Sequence, residues 1–281
     1  MINLPITVVV LTKNEELAIS GCLDSVRNFN QVLVIDSNSN DQTIDIVHKY
    51  GCDTVNFNWN GKYPKKKQWS LELPQIENEW VLFLDADERV SQELEIEIKG
   101  LIDNDLFKRC AAFEIPLSYF FIGKELVHGH KVKKIALVNK NFCSFPTFDD
   151  LHVSNMWEVE GHYQPSISGK LHRIKSKIIH DDPDGLYDYF ARHNRYSDWE
   201  SELQNNKSMS ASIRSNRTFQ GRIFDRIPFK PLFFFVYSFG LRAGWKDGRA
   251  GFHYALALSF YYWQISVKVR ERRQNARFEQ V

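Results

Sequence analysis

Residues 80–88 read Trp-Val-Leu-Phe-Leu-Asp-Ala-Asp-Glu, five apolar side chains in a row and then three carboxylates in four positions. A short unbroken apolar run fits a strand covered on both faces, because a half-exposed strand alternates apolar and polar residues. The same device occurs upstream at residues 6–11 (ITVVVL) and 31–35 (QVLVI), with a further short strand expected at 54–57. Between these runs, residues 16–29 and 42–50 carry helical spacing, and Asp41 is placed to cap the second helix. Strands alternating with helices predict right-handed βαβ units around a parallel sheet, so the fold class is α/β, doubly wound.

Sheets of this kind bind ligands outside the carboxyl ends of their strands. Those ends carry polar groups here: Thr12, Lys13, Asn14 and Glu15 after the first strand, Asp36 and Ser37 after the second, and Asp85, Asp87 and Glu88 after the fourth. Two carboxylates two residues apart suit a hard divalent cation, Mg²⁺ or Mn²⁺, that bridges the protein to substrate phosphates. Asp85 and Asp87 are therefore the candidate metal ligands. The plainer alternative is that Asp87 or Glu88 caps a helix beginning near Ser91.

From about residue 111 the rhythm changes. Residues 111–123, 131–140 and 169–180 read as longer, partly exposed strands, which predicts a mixed or antiparallel addition to the sheet, and 187–204 returns to helical spacing. The 281 residues are 43% hydrophobic and 25% charged, which excludes a disordered chain, and the net charge of +1 argues against a nucleic-acid partner. The balance is uneven, since residues 207–281 hold 14 Lys and Arg against 4 Asp and Glu. Two domains are expected, a catalytic one at 1–206 and a C-terminal aromatic and basic helical segment at 207–281. The four cysteines form no C-x-x-C pair and read as buried free thiols, and the N-terminus reads as a first strand instead of a signal peptide.

The segments VVVLTKNEE (8–16), VLVIDSNSNDQT (32–43), KKKQWSL (65–71) and WVLFLDADERV (80–90) together resemble the inverting glycosyltransferases of family 2, in the manner of bacterial lipopolysaccharide-core and cell-envelope enzymes. HVSNMWEVEGHYQP (152–165), IIHDD (178–182), RHNRYSDWE (192–200) and GWKDGRAGFHYA (244–255) resemble a bacterial branch of that family. The resemblance implies a GT-A fold and a nucleotide-sugar donor, UDP-linked by expectation. It implies that Thr12, Asn14 and Glu15 line the nucleotide pocket and that Asp36 accepts a hydrogen bond from the base. It places Lys67 and Gln68 near the donor diphosphate or sugar, Asp85 on the ribose or metal, and Asp87 as principal metal ligand. Which of Lys65, Lys66 and Lys67 turns inward stays open, with an exposed charged face an equal reading for Lys65 and Lys66.

Inverting transfer needs a general base to take the proton of the attacking hydroxyl, while cations stabilise the departing diphosphate. The candidate base lies in Trp157-Glu158-Val159-Glu160-Gly161-His162, where alternation puts Glu158 and Glu160 on one side. Glu160 is favoured over Glu158, surface salt bridges are the alternative for both, and His162 reads as structural or acceptor-side. His180, at the end of an apolar run, is a candidate third metal ligand or a structural histidine. Arg192 and Arg195 share a helix face, and in the family such a motif sits at the donor diphosphate.

Residues 231–241 and 250–267 are uncharged and aromatic-rich, with basic residues on their flanks. They read as helices lying in a membrane interface, with a helical subdomain packed on the core or a dimer interface as alternatives. The partners expected are thus a nucleotide-sugar donor, a glycan or lipid-linked acceptor and the inner-membrane surface, with the protein cytoplasmic and peripheral on that face. Two other functions compete with this one. A nucleotidyltransferase would carry a glycine-rich phosphate loop where this chain has LTKNEE, and a non-catalytic membrane-recruited binding protein would not need an intact D-x-D.

Overall fold

The computed structural model describes residues 3–147, 151, 153, 156, 158–160, 164–206, 227 and 229–278. They form two units: Met1–Phe120 with Lys131–Thr147 and Glu158–Pro183, and Phe121–His130 with Phe148–Trp157 and Asp184–Val281.

The first unit is built on β1 (Leu4–Thr12), α1 (Ile19–Asp24), β2 (Phe29–Asp36), α2 (Thr43–Lys49), β3 (Asp53–Asn56), α3 (Lys66–Leu71), β4 (Trp80–Asp85), β5 (Glu88–Val90) and α4 (Gln92–Asp103). Then follow β6 (Ala112–Phe121), β8 (Lys133–Asn139), β9 (Cys143–Ser144), β10 (Ser166–Ile167), β11 (Leu171–Arg173) and β12 (Ile178–His180), while β7 (Lys124–Glu125) falls in the second unit. The main sheet runs β3-β2-β1-β4-β8-β6-β12-β5. The pairs from β3 to β4 are parallel, whereas β8 is antiparallel to both β4 and β6. The sheet is therefore mixed, with antiparallel β8 in the middle and β5, antiparallel to β12, at its edge.

Both faces of β1 are buried, as its unbroken apolar run requires. Ile6, Val8 and Val10 pack with Ile19, Leu23 and Leu94, and Val9 and Leu11 pack with Phe57, Leu71 and Phe83. All four cysteines are free, and Cys22, Cys110 and Cys143 are buried.

Two expected elements are shorter than their sequence spacing. The first helix stops at Asp24, where the Ser25 hydroxyl donates to the Cys22 carbonyl at 2.7 Å and accepts from the Val90 N–H at 3.0 Å. The single strand expected over 169–180 is two, β11 and β12, each parallel to β6. Between them the N–H groups of Lys175 and Ser176 donate to the Glu97 carboxylate at 3.0 and 2.8 Å, which takes them out of the ladder. Asp41 works from two residues ahead of α2, its Oδ1 accepting from Thr43 N at 3.0 Å and Thr43 Oγ1 at 2.6 Å. Ser91 caps α4 itself by accepting from Leu94 N at 3.1 Å, so neither Asp87 nor Glu88 has that task.

The second unit contains α5 (Leu186–Asn205), α6 (Lys230–Phe235), a π-helical turn (Val236–Leu241), a 3₁₀ turn (Gly244–Asp247) and α7 (Gly248–Phe278). This unit takes up the chain again at Asp184, ahead of the expected boundary at 207, because α5 packs along α7. Arg272 of α7 donates to Ser201 and Glu202 of α5 at 3.0 and 2.8 Å and to Asp198 at 2.6 Å. Gly244 and Gly251 of GWKDGRAG are set by close approach, since a Cβ would lie 2.7 Å from the Ser238 carbonyl oxygen at the first and 2.1 Å from the Gly244 carbonyl oxygen at the second. Between them Asp247, 3% exposed, accepts from the His128 N–H at 2.7 Å and pairs with His128 Nδ1 at 2.9 Å. No helix among the described residues is long and apolar enough to cross a membrane.

Candidate active site

Strand register gathers the expected positions. Thr12 pairs with Asp36 across β1 and β2, and Leu11 pairs with Asp85 across β1 and β4, so three strand ends finish side by side. The loops beyond β1 and β2 are laced together. Asn14, held in the left-handed region at φ 57, accepts from Asn40 N at 2.9 Å and donates its own N–H to Ser39 Oγ at 2.8 Å. Glu15 N donates to Thr43 Oγ1 at 2.7 Å. Asp36 is buried, and its carboxylate takes the Ser39 N–H at 2.9 Å and the Ser39 hydroxyl at 2.5 Å. Thr12 Oγ1 is buried without a hydrogen-bond partner.

The lysine run is resolved against an exposed face. Lys65 and Lys66 are 1% and 2% exposed, and Lys67 lines the cleft at the end of β4. Lys66 Nζ donates to the Thr12 carbonyl at 3.0 Å and Ser37 Oγ at 2.6 Å, and stands 3.7 Å from Glu158 Oε1. Burial pulls the Lys66 ammonium down to about 8, with Glu158, Asp36 and Asp85 working the other way.

The cleft encloses ≈ 180 Å³, and Lys67, Asp85, Glu88, Tyr119, Lys134 and His180 are among its walls. Lys134, whose sequence context marks only a strand, is its central cation. Its Nζ lies 3.4 Å from Asp85 Oδ2 and in contact with Glu88, whose other role is to accept the Asp85 N–H at 3.0 Å. Burial opposes ionisation of Asp85, but Lys134, Lys67 and His180 outweigh it and hold its carboxyl well below the usual range. Burial raises Glu88 instead, against the pull of Lys134.

Asp87 and His180 face each other, Oδ2 to Nδ1, at 3.4 Å, and that buried imidazole nitrogen makes no hydrogen bond. The ring sits edge-on to Tyr119 with centroids 4.6 Å apart. Burial lowers its basicity, yet Asp87, Glu88 and Asp85 lift it to about 9. The pair fits a divalent cation. Adjacent ligands at bond lengths of about 2.1 Å stand about 3 Å apart, and an unsatisfied imidazole beside a carboxylate is a suitable donor set. Among the described residues no three His, Cys, Asp or Glu side chains converge. Asp85, turned to Lys134, does not complete the expected trio.

Other expectations are corrected. Glu160 is 1% exposed and caps α3, its two oxygens accepting from Lys67 N at 2.8 Å and Gln68 N at 3.0 Å. A carboxylate spent on two backbone donors inside the protein does not face an acceptor hydroxyl. Glu158, with a side chain 21% exposed, is the more available of the two. Gln68 is committed elsewhere, its amide accepting from Phe145 N at 2.8 Å and donating to Glu72 at 2.7 Å. Arg192 and Arg195 belong to the second unit, on α5, where Arg192 pairs with Asp184. Trp157, Gly161 and His162 lie outside the described residues.

Residues 7–105, which hold every strand end described above, match glycosyl transferase family 2. The chain carries a family 2 glycosyltransferase domain. Its mixed α/β sheet is the GT-A fold expected from the sequence. An uncharacterised glycosyltransferase of Rickettsia typhi is 35% identical to this chain over 143 residues, 50% of this chain and 48% of that one. The matched stretch thus spans about half of that relative. The lipopolysaccharide core biosynthesis glycosyltransferase LpsC of Rhizobium meliloti is 22% identical over 96% of this chain and 93% of its own. Among solved structures, S. aureus TarS 1–349 in complex with UDP aligns with 96% of this chain and 91% of that one, at 16% identity and a TM-score of 0.43, too loose a likeness to argue from.

Proposed function

We propose that this protein transfers a sugar, with inversion, from a UDP-linked donor to a glycan or lipid-linked acceptor of the cell envelope, at the inner face of the cytoplasmic membrane. The observation that carries the reading is the Asp87–His180 pair, 3.4 Å apart just beyond β4, with His180 on the wall of a cleft that Lys67 and Lys134 also line. That combination suits a pyrophosphate: the cation, Mg²⁺ or Mn²⁺, supplies Lewis-acid stabilisation of the leaving group when bound, and the lysines add fixed positive charge. Asp36, Thr12 and the laced loops beyond β1 and β2 form the nucleoside end. Glu158 is the proton acceptor for the attacking hydroxyl, since Glu160 is spent on α3. The envelope acceptor is supported by the full-length likeness to LpsC.

The test is incubation of the protein with a panel of nucleotide sugars and Mn²⁺, followed by detection of released nucleotide with and without membrane lipid extract. Release from one UDP-sugar that rises with the extract is the expected result. No release from any donor would overturn the reading.

A further inference from the structure

α7 presents two opposite faces. Tyr254, Ala255, Ala257, Ile265 and Val269 are buried. Phe252, Leu256, Phe260, Trp263 and Val267 are 39%, 47%, 42%, 49% and 41% exposed. At 100° per residue these five fall within about 80° of arc and run about 22 Å along the helix. On the same arc, Arg249 stands just before the stripe and Arg270 just after it, both exposed.

The stripe is widened from both sides. Phe190 of α5 lies 6.4 Å from Phe260, and Phe235 and Phe239 lie 5.7 and 5.5 Å from Phe252, ring centre to ring centre. Next to them Leu232 and Val236 are 65% and 50% exposed. An aromatic band of this kind with cations at its two ends matches a lipid interface laid parallel to the helix, because the rings favour the headgroup boundary and the guanidinium groups meet anionic phosphates.

We infer that the exposed face of α7 seats the protein on an anionic lipid surface, with Phe260 and Trp263 as the inserted anchors and Arg249 and Arg270 on the phosphates. This deepens the membrane-proximal part of the proposed function and does not depend on transfer chemistry.

The experiment is co-sedimentation of the full chain with vesicles of equal parts phosphatidylethanolamine and phosphatidylglycerol, beside vesicles of phosphatidylcholine alone. Wild-type protein is expected to pellet with the first and to be released from them by salt. Phe260→Ser with Trp263→Ser, and separately Arg249→Glu with Arg270→Glu, each lower partitioning by roughly tenfold or more while thermal unfolding stays cooperative. Wild-type protein that stays in the supernatant overturns the inference. So does a dimer in sedimentation velocity that the Ser variant dissolves while vesicle binding is unchanged, which would make the face a self-interface. Vesicle binding is scored without a donor sugar, so binding without nucleotide release overturns the transferase reading alone, and release without binding overturns the docking alone.

Discussion

Lys134 Nζ reaches Asp85 Oδ2 at 3.4 Å because β8 runs antiparallel to β4. Trp80 pairs with Asn139 and Leu82 with Leu137, so β8 runs back from Asn139 toward Lys134 as β4 runs forward from Trp80 to Asp85. The start of β8 is thereby delivered to the carboxyl end of β4, where Glu88 is 2% exposed. Lys134→Met leaves that buried carboxylate without its cation. The expected loss is about 3–5 kcal/mol of stability, read from the midpoint of urea unfolding. Glu88→Gln added to Lys134→Met restores much of it, and equal loss in the single and double variants would show that the ion pair is not the cause.

Asp87→Asn and His180→Ala each remove half of the facing pair. Both are expected to lower Mn²⁺-stimulated nucleotide release on the order of a hundredfold or more with Tm nearly unchanged, since a metal's charge stabilisation of a leaving group amounts to several kcal/mol. Mn²⁺ titration by calorimetry in the presence of UDP checks that the lost step is metal binding. Asp85→Asn serves as the contrast, because Asp85 faces Lys134, and it is expected to weaken Mn²⁺ binding less than either.

Most of this site was legible in the sequence because strand ends are local features. Thr12, Asp36 and Asp85 follow apolar runs directly, and an open parallel sheet aligns such ends whatever the rest of the chain does. Lys134 and Glu160 were not legible for the opposite reason. The role of Lys134 depends on the direction of a strand about fifty residues away in sequence from Asp85, and alternation in KVKKIALVNK does not reveal which strand is its neighbour. Glu160 was read for the chemistry of its carboxylate, while its partners, the N–H groups of Lys67 and Gln68, carry no mark in sequence. The break between β11 and β12 was hidden likewise, since it depends on Glu97 of α4. In the Lys65–Lys67 run, burial of Lys66 goes with its reach to Thr12 and Ser37 across the strand ends, a contact that spacing alone does not fix.

Glu160 and Glu158 separate by substitution. Glu160→Gln places an amide NH₂ against one of the two backbone N–H groups that the carboxylate now serves, an exchange expected to cost about 1–3 kcal/mol in unfolding free energy. Glu158→Gln keeps α3 intact and is expected to reduce transfer by on the order of a hundredfold with stability within about 1 kcal/mol of wild type. Full transfer in Glu158→Gln would remove Glu158 as the base.

The environment of Lys66 sets a stability slope in alkaline solution. Burial brings its ammonium down to about 8 from an ordinary value of 10.5, and Glu158, Asp36 and Asp85 only partly offset that effect, with Lys13 acting alongside burial. Below about pH 8 the group is charged in both folded and unfolded chains, and the folded protein carries the full cost of dehydrating it. Between about 8 and 10.5 the folded protein has released a proton that the unfolded chain still binds, so the stability of the fold rises with pH from this group, and above that window the gain is complete. Lys66→Met removes the titration. Urea midpoints measured across the window are expected to climb more steeply in wild type than in the variant, and parallel curves would show that Lys66 keeps its ordinary affinity for protons in the fold.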